Sequence, residues 1–219
     1  MNKIDLAVAI VPMYLDKNSL VKPKHDYIDS ANGVLFSSIF QTLTGQPYGK
    51  GAISKCFKEP GLLMRTPTND GGIEQFDDYL GIAIASIVTR DTANPRSILR
   101  YGVKHLGYFN NTDNFTLQAW LGRFPFVWCF MLAAAFPFLK RMLQPFLMLY
   151  VRSFKPTNIA DTSAIQLQYI QCVGYDTLFG TEEVLRYKNK LVTAGTTLVK
   201  AFATYYEPDH PFVTFLSSN

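Results

Sequence analysis

An all-α fold built of antiparallel helical hairpins is what this sequence predicts, and three observations predict it. Apolar residues recur at three- and four-residue spacings through most of the chain, helix start and stop residues flank those runs, and no two segments pair convincingly as strands. The expected architecture is a partial (α/α) toroid or a compact bundle of about seven helices. It forms one domain, with residues 1–25 as an N-terminal arm and 26–219 as the helical core.

The arm contains Leu6 to Met13, an apolar run that superficially suggests a signal peptide. Asp5 interrupts its start and no small-residue cleavage site follows, so a mature cytosolic product is expected. Beyond the polar loop from Asp16 to Lys24, Ile28, Ala31, Leu35, Ile39 and Leu43 form a helical stripe that Gly45 closes. Tyr48 to Phe57 reads as a short helix or turn, ended by Glu59-Pro60-Gly61. Leu62 to Gly72, with Pro67 and the cluster Asn69-Asp70-Gly71-Gly72, reads as a loop.

The stretch from Phe76 to Asn111 organises the rest. Asp77 reads as an N-cap with Asp78 behind it and Phe76 as an apolar staple. The helix that follows, Leu80 to Val88, is apolar on nearly every side and belongs inside the fold. A second helix starts with Asn94 as cap and Pro95 at its first position, sets Ile98, Leu99, Gly102, Val103 and Leu106 on one face, and stops at Gly107. A connection of about five residues makes the two an antiparallel hairpin.

After the aromatic and amide loop from Tyr108 to Thr116 comes Phe124 to Leu139, sixteen residues without a polar side chain. A bilayer crossing needs about 20, and Pro125 and Pro137 interrupt this run. It reads as two core helices, one opened at Pro125 and one at or just after Pro137, with Pro145 kinking the second. Asp161-Thr162-Ser163 starts a helix that Gly174 ends. Thr181-Glu182-Glu183 opens the last and longest helix, which Pro208 ends.

Composition narrows the function. Only 17% of residues are charged, against about 25% in an ordinary soluble domain. Such a surface suits a subunit of an assembly, a protein that touches a membrane, or one that meets a neutral ligand such as a glycan. The net charge of +4 comes from scattered basic residues without a Lys/Arg-rich run, so nucleic acid is not an expected partner. Cys56, Cys129 and Cys172 have no CxxC spacing and read as buried thiols. His25 and His210 lack a carboxylate or cysteine at ligand spacing, so no metal site and no cofactor is expected.

Chemistry, if present, lies at the helix-hairpin ends. Asp77, Asp78 and His105 are the acid/base candidates. An N-cap role would lower the pKa of Asp77, the opposite of what a general acid needs, and His105 sits where a helix C-terminus favours an imidazolium. Arg65 and Arg123 are candidate clamps for a carboxylate, and Asn69, Asp70, Asn110 and Asn111 are candidate ligand contacts. Trp120, Phe124, Phe126 and Trp128 suit either sugar stacking or core packing.

Residues 69–163, a little under half of the chain, resemble a family of bacteriophage-encoded, all-helical proteins with an (α/α) hairpin or toroid-like architecture. The resemblance is carried by Phe76-Asp77-Asp78-Tyr79-Leu80-Gly81, by Tyr101-Gly102-x-Lys104-His105 with Asn110-Asn111, by Gly122-Arg123-x-Pro125, and by Asp161-Thr162-Ser163. It implies a phage origin and a helical fold. Joined to the low charge and the lack of a catalytic signature, it gives the leading expectation: a structural or interaction component of a virion, tail-associated, made in the host cytoplasm and without catalytic activity. Its partners would be other virion proteins or further copies of itself, with a membrane not expected. The alternative is a glycan-active hydrolase or lyase-like domain that uses Asp77, Asp78 and His105.

Overall fold

The computed structural model describes residues 53–66, 69–72, 76–105 and 117–153, together with Val34, Leu35, Ser37, Ser38, Cys172, Tyr175, Leu178 and Phe179. Four helices dominate: α1 (Phe76–Thr89), α2 (Ala93–Lys104), α3 (Leu117–Ala135) and α4 (Lys140–Ser153). The described part is therefore mainly helical, as the apolar periodicity predicts, with four helices in it. Val34, Leu35, Ser37 and Ser38 are helical and buried, within the stripe that Leu35 marks. The helix expected from Thr181 and the loop from Tyr108 to Thr116 lie outside the described residues.

Strands are the first correction. A 3-10 turn at Ile53–Cys56 leads into β1 (Phe57–Glu59), β2 (Leu62–Thr66) and β3 (Asn69–Gly72), which form an antiparallel sheet in the order β1-β2-β3. Residues 62–66 and 69–72 are thus paired backbone and not a loop. Strands of three to five residues are too short to display the alternation by which a strand is recognised, and two glycines at an edge read as a turn. Leu62 and Leu63 are buried, which ties the sheet to the helical core.

The sheet is seated through Gly61, in the turn between β1 and β2. Its φ of +93° lies in the left-handed region, and a Cβ there would overlap the Ser97 carbonyl oxygen and Cβ of Tyr101. The turn therefore rests directly on the backbone of α2, at a distance only glycine allows.

The α1–α2 corner is built differently from the sequence expectation. α1 ends in a Schellman motif: Arg90, at φ +58°, donates its N–H to Ile87 O at 3.3 Å, and Asp91 N–H donates to Ser86 O at 2.9 Å. The Asp91 carboxylate then accepts from Ala93 N at 2.8 Å and Asn94 N at 3.3 Å, and also from the Asn94 side-chain amide. Asp91, two residues before the helix, satisfies the orphan donors expected to be served by Asn94. Pro95 falls in the first turn, where its missing N–H costs nothing, though not at the first position.

α3 is the hub. It packs most extensively against α1 and also contacts α2, α4 and the 3-10 turn Pro137–Leu139. Its last turns, Ala133, Ala134 and Ala135, are buried, as are Ile82, Ala83, Ile84 and Ala85 of α1. Phe130 sits in an aromatic cluster, with ring centroids 6.0 Å from Tyr150 and Tyr175 and 6.3 Å from Phe179. Tyr175 and Phe179 are helical, so helical structure is present beyond Gly174, the expected end.

α3 begins at Leu117, so Pro125 lies inside it instead of opening it. The long apolar run does break before Pro137: Phe136 leaves helical geometry at φ −133°, ψ 83°, and the chain passes through the 3-10 turn into α4, which contains Pro145. No helix among the described residues is long and apolar enough to cross a membrane.

Gly61→Ala is expected to lower the unfolding free energy by about 2–4 kcal/mol, since strain at positive φ adds to the overlap with α2. Urea unfolding of the variant beside the parent checks it. Equal stability would contradict the seating of the β1–β2 turn on α2.

Candidate binding surface

The sequence-derived candidates fall on three elements. Arg65 is in β2, and Asn69 and Asp70 open β3, whose register places Asn69 opposite Thr66. The backbone ladder thus brings these three positions into one hairpin. Asp77 and Asp78 occupy the first turn of α1, since the helix already includes Phe76; Asp77 is therefore inside the helix and not its cap. Arg123 lies within α3. Asn110 and Asn111 are outside the described residues.

His105 is the C-cap of α2, at φ −105°, ψ 19°. Its backbone N–H donates to Tyr101 O at 2.9 Å. Its ring stacks on that of Tyr101, with centroids 4.1 Å apart and planes 20° from parallel. Helix geometry explains the pair, because residues four apart share a face. On its other side the Tyr101 hydroxyl donates a hydrogen bond to the Glu59 carboxylate. Burial first, and then the charge and hydrogen bond of Glu59, hold the Tyr101 phenol above its ordinary pKa. This cluster ties the end of β1 to the end of α2, and His105 takes the capping role within it.

Cys56 and Cys172 are buried thiols outside any disulfide, as expected, while Cys129 is half-buried; burial pushes its thiol up, away from the reactive thiolate. No group of three metal-ligating side chains occurs among the described residues.

A different surface comes forward from the helices themselves. Val103, expected on the core face of α2, is 78% exposed, whereas Ile98 and Gly102 are buried. Val103 and the half-buried Leu99 and Phe136 line a pocket of about 490 Å³ together with Arg96, Arg100 and Lys104. The three cations recur every four residues and so stand on one side of α2. Arg96 Nε donates to Ala135 O at 2.9 Å, closing the C-terminus of α3, and its guanidinium lies over the Phe136 ring, 5.3 Å from the centroid.

The pocket continues into a second apolar feature. The Phe136 and Phe138 rings meet edge to face at 6.1 Å. Phe138 is 76% and Met142 72% exposed, and Phe146 and Leu149 follow them outward along α4. The opposite side of α4 contributes Leu147 and Val151 to the core. α4 is therefore apolar on both faces, one inside the molecule and one outside it.

Charge segregates over the same region. From Thr92 to Ser153 the only acidic residue is Asp113, against seven Lys and Arg residues, among them Lys140, Arg141 and Arg152 of α4. These basic residues look scattered in the sequence because they are not consecutive. The spacing Arg96-x3-Arg100-x3-Lys104 was the available signal, and it becomes a cluster only on a helix.

Comparison with protein-family models, with curated proteins and with solved structures finds no match to this chain.

Tyr101 makes the stability of this region pH-dependent in a defined direction. Because its folded pKa is raised, its contribution is fully present below the ordinary phenol range and is lost as pH rises through the folded value. The stability difference between the parent and Tyr101→Phe should therefore be constant up to about pH 9 and change above about pH 10, the parent losing more. Glu59→Gln should make that change smaller without moving its onset, because it removes part of what raises the folded value while the unfolded phenol is unaltered. Denaturation series at stepped pH check it, and parallel pH profiles for parent and Tyr101→Phe would contradict it.

Proposed function

We propose that this chain is a non-catalytic structural or interaction component of a bacteriophage virion, tail-associated, that acts by burying its outward apolar surface against a neighbouring virion protein or a second copy. The observation that carries it is α4 and the 3-10 turn before it, where Phe138 of the turn and Met142, Phe146 and Leu149 of the helix face outward while Leu147 and Val151 of α4 already serve the core. Apolar side chains gathered on one exposed helix face mark interaction surfaces. A helix with two apolar faces is what an element shared between a fold and its neighbour needs. The low charge of the chain supports the same reading.

The particle is the part contributed by the resemblance of the Phe76–Gly81, Tyr101–His105, Gly122–Pro125 and Asp161–Ser163 motifs to phage-encoded helical proteins. In that reading the α1–α2 pair is one hairpin of a partial toroid or a compact bundle of about seven helices. The glycan-active alternative, with Asp77, Asp78 and His105 as acid/base groups, has less support. His105, the one of the three whose side chain is described, closes α2 and stacks on Tyr101.

Quantitative mass spectrometry of purified particles of the source virus tests the assignment. A fixed copy number is the expected result, together with a stable oligomer or a stable complex that is lost in Met142→Asp/Phe146→Asp. Absence from particles, with a parent chain that stays monomeric at high concentration, would contradict it.

A further inference from the structure

The pocket beside the C-terminal half of α2 has a chemistry that the apolar face of α4 does not share. Its floor is apolar, formed by the half-buried Leu99 and Phe136, and its mouth carries the exposed Val103, Arg100 and Lys104, with Arg96 at the α3 end. Arg96 is held in place by Ala135 O and by the Phe136 ring, so its position is set before anything binds. Its hydrogen bond uses Nε alone, which leaves the two terminal nitrogens of the guanidinium for another acceptor. Among the described residues, Arg100 and Lys104 have no carboxylate partner. Three like charges on successive turns of one helix face repel one another.

We infer that this pocket binds a soluble anionic amphiphile, a single carboxylate or phosphate carried on an apolar chain or ring. The volume of about 490 Å³ lies in the range of small-molecule sites, roughly 300–1,000 Å³. An apolar body covers Leu99 and Phe136, and its anion at the mouth relieves the repulsion among Arg96, Arg100 and Lys104. Arginine is suited to that role because its fork meets a carboxylate or phosphate with two parallel hydrogen bonds.

The arrangement of floor and mouth selects the free molecule over a bilayer. Leu99 and Phe136 are half-buried whereas Arg96, Arg100 and Lys104 are exposed, so a ligand whose apolar end covers that pair leaves its anion at the rim. A lipid in a bilayer presents itself the other way round, headgroup first. This site is independent of the docking face on α4 and stands whether or not that face meets a virion protein.

The test is calorimetric titration of the full chain with octanoate, beside the neutral octanol, and flotation with phosphatidylcholine vesicles with and without phosphatidylglycerol. Saturable octanoate binding is expected, tighter than octanol and weakened by added salt. Arg100→Gln/Lys104→Gln should bind octanoate at least about tenfold more weakly, since charge-assisted hydrogen bonds are lost. Val103→Asp, which sets a carboxylate at the mouth, should weaken it comparably. All three positions are exposed, so the variants should keep the circular dichroism spectrum of the parent. Absence of saturable octanoate binding, equal binding of octanol, or an unchanged double variant would overturn the inference. So would capture by anionic vesicles without octanoate binding.

Discussion

The fold depends on the burial of the second half of α3. Val127, Phe130, Met131 and the Ala133–Ala135 turn are all buried, and the helix that carries them contacts α1, α2, α4 and the 3-10 turn. A helix apolar all round must be covered all round, or its exposed side becomes a liability. Small buried residues occur on both helices, Ala133–Ala135 on α3 and Ala83 and Ala85 on α1, and α1–α3 is the most extensive contact in the described part. Further along the same helix the large Phe130 meets Tyr150, Tyr175 and Phe179, so one element provides both the contact with α1 and the aromatic cluster.

What happens at the end of α3 sets up the surface. The chain leaves helical geometry at Phe136, and the freed Ala135 carbonyl is taken by Arg96 of α2. That hydrogen bond, with the cation–π contact beneath it, joins α2 to the α3–α4 junction at the point where the pocket lies. The same break turns the ring of Phe136 into the pocket and leaves Phe138 outside, so the apolar surface passes from α2 to α4 without interruption. The pocket and the outward face of α4 are thus consequences of one chain reversal.

Much of the helical content is legible in the sequence because it rests on long apolar periodicities and strong punctuation. The helix Leu80–Val88 and the break before Pro137 are read from residues whose effects are local. The misreadings share a physical cause. The sheet was hidden because three short strands display no alternation and their glycines resemble a turn. The start of α3 at Leu117 is hidden because Pro125 reads as an opening, whereas a proline within a helix marks no boundary by itself. At the α1–α2 corner, Asp91 serves as cap from outside the helix, a role visible only once Arg90 adopts its left-handed conformation. The candidate site was legible only in fragments. His105 is correctly placed at a helix end, but Val103 reads as core, and Arg96, Arg100 and Lys104 become a cluster only when α2 is laid against Phe136.

Native-state hydrogen exchange, resolved by residue, tests most directly the claim that the buried half of α3 organises the fold. Amides in 127–135 and their counterparts in 80–86 should exchange slowest in the described part, and only through global unfolding, with denaturant dependence equal to that of the whole chain. Those of α2 near Val103 should open locally and faster. If the α3 amides exchanged as fast as those of α2, by local opening and without denaturant dependence, the hub would lie elsewhere and the account of the pocket built on the α3 terminus would fall with it.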